Sequence, residues 1–233
     1  MQKYLTVIFI VLAGLWVMGC ASQKQTTLYF SDLDPNLRLL PEKLGIDIAL
    51  IEYPIIGIAT HDNFHKSTAI ILMTFEVTKW MVADATLNLK KYAQDHIAKM
   101  TMDENIAELI GDTPHDQLTV EQSAAVLNME KERNEISEDE AAYFLKVGAN
   151  LGVGVLSLTR AVKELPNLIK TGGAMIFNVG SDFKFMGIPK FWAIGPATKS
   201  LKESTGRLNG IKNDAPILLE DIKVLVDAFR MLN

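Results

Sequence analysis

The sequence holds a single cysteine, Cys20, among its 233 residues. One thiol excludes an internal disulfide and the paired-cysteine sites that hold structural zinc. Positive charge is also in short supply: 23 Lys and Arg stand against 28 Asp and Glu, a net charge of −5. No basic patch or stripe therefore advertises a nucleic-acid partner, and no polybasic cluster would draw the chain to anionic lipid. A Gly-x-Ser-x-Gly nucleophile elbow is missing. So are exact internal repeats and low-complexity tracts. Period-two strands joined by hairpin turns are absent too, which argues against a sandwich or barrel. What remains is a chain with 48% hydrophobic residues, enough for a substantial core in one or two domains.

The first twenty residues carry the sharpest pattern. Met1-Gln2-Lys3 opens the chain, an apolar run follows from Tyr4 to Val17, and Met18-Gly19-Cys20 closes it. The run is short of the ~20 residues that span a bilayer. A charged start, an apolar middle and a small residue at the end are the anatomy of a secretory signal. An uncleaved membrane anchor or a buried first helix is the alternative. Val17-Met18-Gly19-Cys20 resembles the lipobox of the bacterial lipoprotein family. The resemblance implies that residues 1–19 are removed and that Cys20 carries palmitate and the other lipid chains. It implies no other cofactor. The residue after the cysteine is Ala21, not the aspartate that resembles an inner-membrane retention signal. The resemblance therefore implies the periplasmic face of an outer membrane. It covers the signal segment only.

Beyond it, residues 20–36 read as a polar tether, with Leu28-Tyr29-Phe30 a docking point, and residues 37–233 as a helical domain. Ile46 to Ile58 is ambiguous between helix and extended chain. From Asp62 to Met100 no glycine or proline occurs, and apolar residues recur at helical spacing, so one long helix is expected, with a break near Ala83–Thr86 as an option. Its first half is apolar on most sides and should be buried on most sides. Thr119…Gln122 and Ser137…Glu140 have the capping-box pattern. They predict helices to about Asn134 and from Glu138 to Leu165. Pro166, Pro189, Pro196 and Pro216 are read as first-turn prolines. Leu218, Ile222, Leu225, Phe229 and Leu232 form a narrow seam facing a partner helix. The fold class expected is all-α: a multi-helix bundle with one long central helix and a buried glycine-bearing helix.

Four features could carry chemistry. His61 and His65 stand four apart at a helix start, as a zinc site needs, with Asp62 where metalloproteases place a glutamate. A third ligand is hard to find, since His96 lies ~46 Å further along an unbroken helix. The bland reading is a helical first turn capped by Thr60 or Asp62. Glu76 and Lys79 interrupt the most apolar part of the long helix, as a buried acid or as an edge pair with the lysine reaching water. Gly148 and Gly152, with Ala141 and Ala149 nearby, make a smooth face for a crossing helix or an apolar ligand. Gly172 to Trp192 crowds Phe177, Phe191 and Trp192 with other apolar residues, as core or as a ligand-lining or membrane-contacting segment.

Together these features point to a lipid-anchored, non-enzymatic binding or interaction module of the cell envelope. Its partners would be the membrane, through the anchor, and an envelope protein or an apolar ligand held near Gly148, Gly152, Phe177, Phe191 and Trp192. The alternative is a metal-dependent hydrolase using His61 and His65.

Overall fold

A computed structural model describes residues 24–28, 51–99, 104–185 and 191–232. Cys20 and the rest of the signal segment lie outside the described residues, as do the side chains of Phe191 and Trp192. The fold is an all-α bundle with one small sheet. Strand β1 (Lys24–Thr27) pairs antiparallel with β2 (Glu52–Ile55), Lys24 opposite Ile55 and Thr27 opposite Glu52. Helices α1 (Ala59–Lys99), α2 (Glu104–Ile110), α3 (Val120–Glu132), α4 (Glu138–Phe185) and α5 (Phe191–Met231) follow. A single 3-10 turn, His115–Gln117, lies between α2 and α3.

The strand pair corrects part of the tether reading. Lys24 to Thr27 is ordered against Glu52–Ile55, and the amide of Leu28 donates to the carbonyl of Ile51 at 3.0 Å. Leu28 itself is buried. A polar four-residue segment shows no period-two signal on its own; the partner strand, more than twenty residues on, supplies the hydrogen bonds that hold it extended.

Helix α1 runs unbroken for 41 residues, so the option of a break near Ala83–Thr86 is not taken. Its amino-terminal half is buried on most sides, with Phe64, Ile71, Met73, Phe75 and Val77 all buried. Glu76 and Lys79 are exposed, which is the edge-of-core reading of that pair. Both capping boxes form. Thr119 Oγ1 accepts from the Gln122 amide at 3.1 Å, and the Gln122 side chain accepts from the Thr119 amide at 3.0 Å. The Ser137 amide and hydroxyl both donate to Glu140 Oε2, at 2.9 and 2.8 Å.

The prolines correct the helix boundaries. Pro166 lies inside α4, which continues to Phe185 rather than stopping near Leu165. Pro196 and Pro216 likewise lie within α5. An interior proline costs about 3 kcal/mol through a lost hydrogen bond and a clash with the carbonyl four residues back. All three rings sit at exposed positions, while Leu165, Ala197 and Ala215 beside them are buried. Burial of the neighbouring turns carries each helix through its proline. Glycine-bearing α4 is also less buried than its composition suggests: Gly154 and Gly172 are buried, but Gly148 and Gly152 are half-exposed.

The chain divides into two compact units. Among the described residues, the first comprises 24–28, 51–70, 165–185 and 191–209, and the second comprises 71–99, 104–164 and 210–232. In the first, Gly172 of α4 lets Phe64 of α1 and Thr205 of α5 approach its backbone. A Cβ at that position would lie 2.7 Å from Phe64 Cζ. In the second, an aromatic chain links three helices: Tyr92 to Phe144 at 5.3 Å and Phe144 to Phe229 at 6.1 Å between ring centroids. Here α1 and α4 run antiparallel, Tyr92 meeting Tyr143 while Met81 lies against Gly154. The seam read in the last helix is buried throughout, from Leu218 to Leu232.

Candidate functional site

His61 and His65 project from the first turns of α1 into the first unit, as their spacing predicts, but they do not converge on a common point. His61 Nε2 lies 2.9 Å from Asp182 Oδ2 of α4, and its Nδ1 is buried with no hydrogen-bond partner among the described residues. His65 Nδ1 lies 2.9 Å from the Ser204 hydroxyl of α5, and its Nε2 lies 3.4 Å from the Ser200 hydroxyl. Ser200 donates to the Ala197 carbonyl at 3.0 Å. Its oxygen is then left to accept from Nε2–H, and Nδ1 accepts from Ser204. Burial foremost, with the neighbouring His61, brings the His65 pKa down to about 4 against the opposing pull of Asp62. The ring is neutral at pH 7.

Asp62 does not take the role of a metalloprotease glutamate. Its carboxylate folds back to accept from the amides of Ile56 at 2.7 Å and Gly57 at 3.2 Å. Gly57 has φ +83°, the left-handed geometry that lets the chain turn from β2 into α1. Asp62 thus ties the first turns of α1 to the loop that precedes it; the amides it accepts from lie before the helix, so it is not the cap that one reading made it.

A second polar cluster was not legible beforehand. His96, near the end of α1, is bracketed by two carboxylates of the second unit: Glu130 Oε2 at 3.6 Å from Nδ1 and Glu140 Oε1 at 3.2 Å from Nε2. Arg133 Nη1 lies 3.4 Å from the other oxygen of Glu130. The Glu130 carboxylate is 2% exposed, so its charge is held by these contacts rather than by water. Burial works against the charge of Glu140, but the two Ser137 donors and His96 outweigh it and hold its pKa below the usual value. These groups, with Lys99 and Glu135, line a surface pocket of about 620 Å³. Both imidazole nitrogens face carboxylates, so the arrangement ties the end of α3 to the start of α4. Among the described residues, no group of three or more His, Cys, Asp or Glu side chains is placed to hold a metal ion.

The residues read as a smooth or ligand-lining face fall in different places. Gly148 and Gly152 lie in the second unit; Phe177 lies in the first and is 91% exposed. Phe191 opens α5. Among the described residues, no crossing helix fills the space over Gly152: a Cβ built there meets nothing within 4 Å. The close approach comes two residues later, where a Cβ on Gly154 would meet Met81 Cε at 3.2 Å. The pocket bordered by Met81, Asp84, Val147, Asn150 and Leu151 is about 10 Å³, room for roughly one water and far too small for a lipid chain. The open side of α4 is instead apolar surface. Leu145 is 57% and Leu156 61% exposed, and Ala142 and Ala149 are exposed. By length and composition α4 could cross a membrane; its most apolar 18-residue stretch has a mean hydropathy of 1.4, and only 33% of that stretch is buried.

No protein-family model, curated protein or solved structure gives a significant match to this chain.

Proposed function

We propose that this chain is a lipid-anchored helical interaction protein of the bacterial envelope, and that the outward face of α4 in the second unit is its contact surface. The observation that carries the reading is the mismatch between the composition of α4 and its burial. A core helix of mean hydropathy 1.4 would turn its leucines inward, yet Leu145 and Leu156 are 57% and 61% exposed, with Ala142 and Ala149 exposed on the same side. Contiguous exposed apolar surface of this kind marks interaction sites. The signal-like segment and Cys20 supply the address, since a lipid on that cysteine would hold the domain at a membrane. The metal-hydrolase reading has weaker support, because His61 and His65 turn to Asp182 and to Ser204 rather than to a shared ion.

A photo-reactive amino acid in place of Ala149 tests the reading in intact cells, with one in place of Glu220, exposed on α5, as the control. Adducts formed from Ala149 well above those from Glu220 support a covered face. Equal, background-level adducts at both positions overturn it.

A further inference from the structure

We infer that the occupant of this face is a second copy of the same chain, docked through its own α4 in antiparallel orientation. The inference rests on the reading of α4 as a contact surface and names its partner. Ala142, Leu145, Ala149, Gly152 and Leu156 are separated alternately by three and four residues. That is the a/d spacing of a coiled-coil seam. Two leucines, each more than half exposed, stand as knobs, and the small residues between them leave the holes. The open space over Gly152 is where a partner backbone would come closest.

Charge fixes the orientation and the partner. The same seam, continued at both ends, reaches Glu138 and Lys163, both exposed, ~38 Å apart along the helix. In an antiparallel pair, Ala149 packs on the partner's Gly152 and Leu145 on the partner's Leu156. Glu138 then faces the partner's Lys163, twice over by symmetry. A parallel pair would set glutamate on glutamate and lysine on lysine. Two-fold pairing needs a surface that complements itself, and this one does. A bilayer fits less well: a helix lying in lipid shows a broad apolar face, whereas this seam is flanked by exposed Asp139, Lys146 and Arg160.

The test uses the full chain carrying C20S, so that each introduced thiol is the only one, in mild detergent. Chains with A149C and chains with G152C, differently tagged, are mixed and oxidised. The expected result is a mixed disulfide formed several-fold faster than either self-pair. L145D with L156D, at exposed positions that leave the helix content unchanged by circular dichroism, should weaken association roughly a hundredfold, from the lost burial of two leucines per chain. E138K alone and K163E alone should each weaken it, and the two combined in one chain should restore it. A monomer in sedimentation at tens of micromolar, self-pairs that outrun the mixed pair, or loss without restoration in the charge swap overturns the inference. If Ala149 meanwhile gives adducts with other envelope proteins, or the L145D and L156D chain loses vesicle binding without any self-association, the second copy is wrong and the contact face stands. If Ala149 gives no adducts at all, both fall.

Discussion

Neighbouring glycines in α4 should respond to the same substitution with opposite signs. Alanine in a helix interior is favoured over glycine by about 0.8–1 kcal/mol. At Gly173 a Cβ meets nothing within 4 Å, so Gly173→Ala should stabilise the protein by about 1 kcal/mol. At Gly172 the same atom would lie 2.7 Å from Phe64 Cζ and 3.1 Å from Phe64 Cε2, and closer still to Thr205 Oγ1. Neither neighbour can retreat freely. Phe64 is 3% exposed and packs edge-on against His65 with ring centroids 5.6 Å apart. Thr205 Oγ1 is held by a 2.7 Å hydrogen bond to the Leu201 carbonyl. Overpacking at a rigid site costs about 1–3 kcal/mol, which exceeds the helix-propensity gain. Gly172→Ala should therefore destabilise by roughly 1 kcal/mol, a gap of about 2 kcal/mol between adjacent positions. Urea unfolding followed by circular dichroism measures it. Thr205→Ala in the Gly172→Ala background should recover part of the loss. If Gly172→Ala stabilised as much as Gly173→Ala, the close packing of α1 and α5 on Gly172 would be wrong.

Other perturbations test the rest of the structure. The unfolded chain protonates His65 near pH 6.5 whereas the folded chain holds out to about 4, so stability is full above 6.5 and declines as pH falls toward 4, by up to about 3 kcal/mol from this group. Comparing urea midpoints at pH 7 and pH 5, His65→Gln should show a smaller fall than the parent; an identical fall would refute the burial argument. Glu130→Gln removes the carboxylate between His96 and Arg133 and should cost about 1–3 kcal/mol by thermal unfolding, with no loss if the pocket is water-filled and slack. Ser137→Ala and Thr119→Ala each remove a capping-box hydroxyl and should each cost about 1 kcal/mol, additively, because they cap different helices. Cys20→Ser should abolish labelling by a palmitate analogue; label retained by the variant would place the lipid on another residue, and an unlabelled parent would refute the anchor.

Much of the fold was legible because it is written locally. The helix α1 followed from an unbroken apolar periodicity, and both capping boxes followed from a hydroxyl three residues before Gln122 or Glu140. The prolines misled because their local penalty is real but is outweighed by the burial of Leu165, Ala197 and Ala215, a tertiary effect no short window contains. Strand β1 was missed for the same reason. Among candidate residues, the placement of His61 and His65 on one face at the start of α1 was legible. Their surroundings were not: Asp182 stands 121 residues from His61 and Ser204 stands 139 from His65. The cluster of His96, Glu130 and Glu140 gave no signal because its members come from three helices with no shared spacing. Exposure of Leu145 and Leu156 could have been suspected from their place in a three-four stripe with Ala142 and Ala149, but only the packing of Gly154 on Met81 shows which side of α4 faces inward.

The central claim, that the outward face of α4 is covered in its working state, is tested most directly by thiol accessibility in native envelopes. Where Cys20 carries the proposed lipid, a chain carrying A149C has one free thiol, and so does a control chain carrying E220C, both at positions exposed in the single chain. Both should react equally fast with a membrane-impermeant maleimide after unfolding in urea. In native envelopes the A149C chain should react several-fold more slowly than the E220C chain. Equal rates in native envelopes would contradict the claim, leaving α4 with an apolar face open to water.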